Sequence, residues 1–184
     1  FHELGHVLHE VLGTNAYYGT SMEGMESDFP EAISQIMENW AWAPTILVRV
    51  SRHHEHGASM PIELAERVAA SRTVNLGSRY LGIFAGPGEF DLSIHSPVVV
   101  DLDAAASAAD AVRGLPSVEG TFWPASFAHI VAGYDAGYYG YLWSLVYGYD
   151  LWSRFEAEGI VNPEVGAAFR RELFEPGSSR TAEE

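Results

Sequence analysis

The chain has no cysteine and no lysine. Without cysteine, disulfide staples, thiolate metal ligands and thiol nucleophiles are all excluded. Without lysine, all 10 basic side chains are arginines, and 25 carboxylates outnumber them, leaving a net charge of −15. So acidic a balance argues against nucleic acid and against an anionic membrane surface as partners. No run of 18 apolar residues is present, so no membrane-spanning helix is expected. Phe1 to Leu12 also lacks the make-up of a signal peptide. These absences fit a cytoplasmic location. At 184 residues the chain is long enough for one sizeable domain, burying about 70% of its unfolded surface. It contains no internal repeat.

What is present begins at the first nine residues, Phe1-His2-Glu3-Leu4-Gly5-His6-Val7-Leu8-His9. His2 and His6 stand four residues apart, about 40° apart around a helix, so both imidazoles can grip one ion. Glu3 follows the first histidine and is placed to take a proton from a metal-activated water instead of binding the metal. This H-E-x-x-H arrangement is the zincin signature. Leu4, Val7, Leu8 and Val11 fall opposite the two histidines, giving the helix one apolar side and one metal-facing side.

Two imidazoles leave a catalytic zinc one protein ligand short, and His, Glu or Asp from a second element usually completes the set. Metzincins carry a third histidine six residues after the second; here that position is Leu12, so this class is excluded. Downstream, Glu31 opens an apolar-periodic run through Ile33, Ile36, Met37 and Trp40, with Pro30 suited to a first helical turn. Two readings of Glu31 stand side by side: a metal ligand, or an acid favoured by the helix dipole. Asp28 and Glu38 are candidates to orient the imidazoles, Glu38 sharing a helix face with Glu31 seven residues before it.

The remaining pattern predicts a mostly α chain. Helices are expected over 1–13 and 30–42, with Pro44 interrupting and a further apolar stretch to Val50, then from Pro61 to Phe84, with Gly86-Pro87-Gly88 as a break. Arg52-His53-His54-Glu55-His56-Gly57 reads as a solvated polar turn despite its three histidines. Val98-Val99-Val100 is a β-like run too isolated to imply a sheet. Asp101 or Asp103 caps an Ala-rich helix to Arg113, residues 115–126 are loop, and helices follow over 138–157 and 163–174. Residues 1–175 are expected to form one domain, with a loose tail from Pro176.

A second chemical centre lies at Gly133-Tyr134-Asp135-Ala136-Gly137-Tyr138-Tyr139-Gly140-Tyr141. Its glycines let backbone flex or approach a ligand, and its phenols remain donors at neutral pH. By itself the segment also reads as aromatic packing at helix spacing.

The chain resembles the thimet oligopeptidase family of zinc metallopeptidases (gluzincin type), which includes bacterial oligopeptidases and dipeptidyl carboxypeptidases. The matching blocks are Phe1–His9 and Asp28–Gln35 (D-F-x-E-x-x-S-Q), then Glu38-Asn39-Trp40, Phe127-Ala128-His129 and Gly133–Ser144. Gly159–Gly166 and Phe169-Arg170 complete the series. Departures are Ser21-Met22-Glu23 where the family has Ser-Gly-Thr, Pro30 for a β-branched residue, and Ser178 for a glycine. The resemblance implies a truncated, helical zincin-like catalytic domain from the C-terminal part of a longer peptidase. Its missing N-terminal region would form the other wall of the substrate channel. One zinc ion is implied on His2, His6 and Glu31, with Glu3 as the proton carrier. His129, Tyr134 and Tyr141 are implied as donors to the oxyanion, and Tyr138 with Gly133 as substrate contacts. The implied reaction is hydrolysis of peptide bonds in short peptides; the alternative is a zinc-binding fragment without turnover.

Overall fold

A computed structural model of the chain describes residues 1–17, 19, 20, 22 and 24–181; of the Ser21-Met22-Glu23 departure, only Met22 lies within that set. In chain order the helices are α1 (His2–Leu12), α2 (Pro30–Ala41), α3 (Pro44–Val50), α4 (Ile62–Ser71), α5 (Leu76–Arg79), α6 (Gly86–Ile94), α7 (Leu102–Arg113), α8 (Gly140–Glu158) and α9 (Pro163–Phe169). The described residues contain no strand, so the fold is mainly α and the Val98–Val100 run stays irregular. Among them no helix is long and apolar enough to cross a membrane.

Where the sequence pattern predicts one domain, the packing separates two units: Phe1–Val74 with Ser144–Glu184, and Asn75–Trp143. The first is built around the contact of α1 with α2. Gly5 makes that contact possible, because a Cβ there would meet Ser34 Cα at 2.6 Å and the Ile33 carbonyl oxygen at 2.9 Å. Leu8 and Leu12 join the buried Phe29, Ala32, Ile33 and Phe174 in one core, and Ile36, Trp152, Phe155 and Val165 form another. Trp40 links α2 to the C-terminal segment by donating its indole N–H to the Ile160 carbonyl at 2.7 Å.

The apolar side expected for α1 is only partly used. Leu4, Val7 and Val11 are exposed, and the helix buries Gly5 and His9 instead. The wheel gave too much weight to hydrophobic residues. Close backbone approach at a glycine selects the packed face here.

The predicted helix from Pro61 to Phe84 is interrupted after Ser71, within the first unit, and Asn75, where the second unit begins, sits in the left-handed region at φ 58°. A π-helical stretch, Tyr80–Ala85, then leads directly into α6. Gly86-Pro87-Gly88 therefore begins a helix where a break is expected, since proline is tolerated in a first turn. Gly86 lets α6 lie against α7: a Cβ there would come within 2.9 Å of the Ala109 carbonyl oxygen. Of the two expected caps for α7, Asp101 serves, accepting from the N–H groups of Asp103 and Ala104. The segment after Pro176 is not loose as far as it is described. Gly177 is buried, and the Ser178 N–H donates to the Thr20 carbonyl at 3.0 Å.

Candidate functional site

On α1, His2 and His6 point the same way because they are separated by one turn, and α2 brings Glu31 to meet them. Glu31 Oε2 lies 3.1 Å from His2 Nε2 and 3.4 Å from His6 Nε2. The three donor atoms all fall within 4.8 Å of one another. Bonds of about 2.0–2.1 Å to a tetrahedral zinc would put neighbouring donors about 3.3 Å apart. Two imidazoles and one carboxylate at these spacings could hold such an ion. Glu3, next to His2 in α1, is exposed.

Further groups fix the donors. Glu38 Oε1 accepts from His2 Nδ1 at 2.8 Å, leaving Nε2 to face Glu31. The buried Ser34 hydroxyl lies 2.7 Å from Glu31 Oε2 and donates there or to the Glu31 carbonyl, 3.0 Å away. The Glu31 and Glu38 carboxylates hold the His2 pKa up at about 9. A metal must displace that proton. What the structure shows of Asp28 is its carbonyl, which accepts from the buried Ser144 hydroxyl. His9, one turn beyond His6, is fully buried against Phe174. Burial lowers its pKa to about 4, so its ring is neutral over the ordinary pH range.

The turn at His53–His56 is solvated, as expected. His53 stacks on His56 at 3.8 Å, and the donors of His53, His54 and Glu55 lie within 4.8 Å of one another, all exposed.

In the second unit, the tyrosine segment folds back around His129. The Tyr134 N–H donates to the His129 carbonyl at 3.2 Å, and the His129 ring packs against Tyr134, Tyr138 and Tyr141 at 5.5, 5.0 and 6.0 Å. Tyr134 and Tyr141 stack nearly parallel, 5.3 Å apart at 15°. The segment is an aromatic cluster, and its packing on the His129 ring brings His129, Tyr134 and Tyr141 together. Tyr138 differs from the expectation of a substrate-facing phenol. Its ring is buried and its hydroxyl donates to the Ile83 carbonyl at 3.0 Å, while desolvation raises its pKa. Gly133 is exposed at φ 92°, which only glycine adopts readily.

A histidine pair, a buried carboxylate and a histidine–tyrosine cluster, in this chain order, point to one family. Residues 1–184 match the model of Peptidase family M3. The chain belongs to that family. It is 38% identical to oligopeptidase A of Escherichia coli (strain K12) over 97% of this chain. It is 34% identical to the thimet-like oligopeptidase of Dictyostelium discoideum and 32% identical to the dipeptidyl carboxypeptidase of Escherichia coli (strain K12), each over 100% of this chain. It spans only 27–28% of the length of these relatives.

Within this family M3 chain, sequence reasoning missed two residues. Ser34 was visible as part of the matched D-F-x-E-x-x-S-Q block, one turn after Glu31, but its hydroxyl contact was not foreseen. Asp91 was hidden because its helix was read as beginning with a break. It is fully buried on α6 and accepts from the N–H groups of Ala136 and Tyr138, both at 3.0 Å. Ala136 stands at φ 57°, a conformation that costs an L residue about 1–2 kcal/mol. The usable signal was an acid inside an apolar stretch with a histidine, His95, four residues on; their side chains lie 2.9 Å apart.

Proposed function

We propose that this chain is the catalytic part of a zinc-dependent peptidase that hydrolyses peptide bonds in short peptides, as an oligopeptidase or a dipeptidyl carboxypeptidase. The observation that carries this reading is the convergence of His2 Nε2 and His6 Nε2 on Glu31 Oε2 at 3.1 and 3.4 Å. Membership of a peptidase family supports it. His2, His6 and Glu31 would hold one zinc ion, which when bound supplies the Lewis acidity that makes water nucleophilic near neutral pH.

The chain's own residues do the rest. Glu38 keeps His2 turned so that Nε2 is the donor, and Ser34 restrains the Glu31 carboxylate. Glu3 takes a proton from water as it adds to the scissile carbonyl, and returns it to the leaving amine. Tyr141 donates to the oxygen that gains charge, with His129 or Tyr134 assisting, and one such donor lowers the barrier by about 3–4 kcal/mol. Gly133 leaves backbone open for the substrate. Tyr138 holds the tyrosine segment through Ile83.

A second reading has its own support. Because the chain covers only 27% of the length of oligopeptidase A, by itself it would bind zinc without turnover, the N-terminal region of a longer polypeptide completing the channel. A quenched-fluorescent short peptide, assayed with and without chelator beside a zinc count, separates the two. For the longer polypeptide we expect one zinc and chelator-sensitive cleavage. Glu31→Ala should cost orders of magnitude in zinc affinity, while Glu3→Gln should keep zinc and lose nearly all cleavage. Cleavage that survives complete zinc removal would sink the proposal, and zinc-loaded chain without cleavage would select the second reading.

A further inference from the structure

We infer that Asp91 is a positioning residue for the tyrosine segment, holding it in the one conformation that presents Tyr134 and Tyr141. This rests on the reading of Tyr141 as an oxyanion donor. The carboxylate is fully buried, and each of its oxygens is used: Oδ1 accepts from the Ala136 N–H and Oδ2 from the Tyr138 N–H, both at 3.0 Å. These amides lie 45 and 47 residues away in sequence, so the contact fixes the loop from outside itself.

What Asp91 grips is the part of the loop least able to hold itself. Ala136 has positive φ without being glycine, and it is flanked by Gly133, Gly137 and Gly140, which add freedom instead of restraint. Two amides fixed by one rigid carboxylate set the path of the chain between them. The Tyr138 hydroxyl, held by the Ile83 carbonyl, supplies a further anchor. From those anchors the next turn is set: the Tyr141 N–H donates to the Tyr138 carbonyl at 3.3 Å, and the Tyr141 ring stacks on Tyr134.

His95 is the ionisable neighbour on the same helix, its Nδ1 lying 2.9 Å from Asp91 Oδ1 and 2.8 Å from the Asp91 carbonyl oxygen. It meets the same carboxylate oxygen as the Ala136 N–H. An apolar packing role alone does not account for a buried carboxylate whose oxygens all meet donors, two of them on a remote segment. A buried polar group this fully satisfied specifies one arrangement of its surroundings.

The test uses the longer polypeptide and compares Asp91→Asn, Tyr141→Phe and the double variant. Asparagine keeps the shape but offers one accepting oxygen, so one amide loses its partner. Hydrogen exchange over 133–141 should then accelerate about tenfold or more, with α1 and α2 unchanged and zinc content intact. Turnover should fall about tenfold with KM nearly constant, and the double variant should be no slower than Tyr141→Phe by more than about twofold. Fully additive losses in the double variant, or unaltered exchange over 133–141, would overturn the role of Asp91. If Tyr141→Phe alone leaves turnover intact, the oxyanion reading falls and takes the catalytic consequence with it, which is a different result from unaltered exchange. Should Asp91→Asn fail to fold, the unsubstituted protein decides: the amides of Ala136 and Tyr138 must exchange about a hundredfold more slowly than that of Asp135, and equal rates would refute the contact.

Discussion

Glu38 turns His2 from one of two imidazoles into an oriented donor, and it does so from 36 residues away. Replacing it with glutamine keeps a hydrogen-bonding group but removes the charge that raises the basicity of the ring. Glu38→Gln should weaken zinc binding about 10- to 100-fold, measured by competition with a chromophoric chelator. Unaltered affinity would make the 2.8 Å contact incidental. The role proposed for Tyr141 belongs to a different stage. A phenol that donates only to developing charge contributes to kcat and little to ground-state binding. Tyr141→Phe in the longer polypeptide should lower kcat about 100- to 1,000-fold with KM nearly unchanged, and a defect confined to KM would mark it as a binding residue. The proposed metal ligands were legible because ligand chemistry dictates their types and helix geometry dictates the spacing of His2 and His6. Residues that act by positioning others were less so. Ser34 and Asp91 matter through partners that only folding reveals, and nothing in the spacing of Asp91 announces Ala136 or Tyr138.

At the scale of elements, His2, His6 and Glu31 converge because two helices approach at a glycine. The sequence pattern puts Gly86 in a break and gives Gly5 no role. Both sit inside or at the start of helices and admit a neighbouring backbone. For the same reason the apolar pattern on α1 misled: Leu4, Val7 and Val11 are exposed, while the face that packs carries Gly5 and His9. Helix existence was legible from period and caps; which face packs was not, because that is settled by the partner. Gly5→Ala tests the approach. Alanine is favoured within a helix by about 1 kcal/mol, yet its Cβ would lie 2.6 Å from Ser34 Cα, and backbone cannot step aside cheaply. Overpacking of this kind costs about 1–3 kcal/mol. We expect net destabilisation in thermal melts, together with weaker zinc binding as Glu31 moves away from the histidines. Val7→Ala on the exposed side is the control and should leave both measurements within experimental scatter. Equal behaviour of the two variants would remove the close approach as the cause.

For the whole molecule, charge and buried histidine together set how stability depends on pH. The net charge of −15 repels itself at neutral pH, and acid relieves that repulsion. His9 works against the relief. Unfolded, its pKa is near 6.5; folded, burial lowers it to about 4. Between these values the unfolded chain binds the extra proton, so stability is full above about 6.5 and is lost as pH falls towards 4, a loss of about 3 kcal/mol. His2 has the opposite sign. Glu31 and Glu38 raise its pKa to about 9, so the metal-free protein gains from it below about 6.5 and loses that gain as pH rises through 9. A metal-free chain should therefore be most stable near pH 6.5, falling on both sides. Zinc bound by His2 would take the place of its proton, so loading should flatten the alkaline limb, while acid, by restoring that proton, should release the metal. Thermal melts from pH 4 to 9, with chelator and with zinc, resolve the two limbs. His9→Leu should flatten the acid limb in chelator, because leucine keeps an apolar side chain against Phe174 and carries no proton to bind. An acid limb that persists there in His9→Leu would trace the loss to the carboxylates and not to this imidazole.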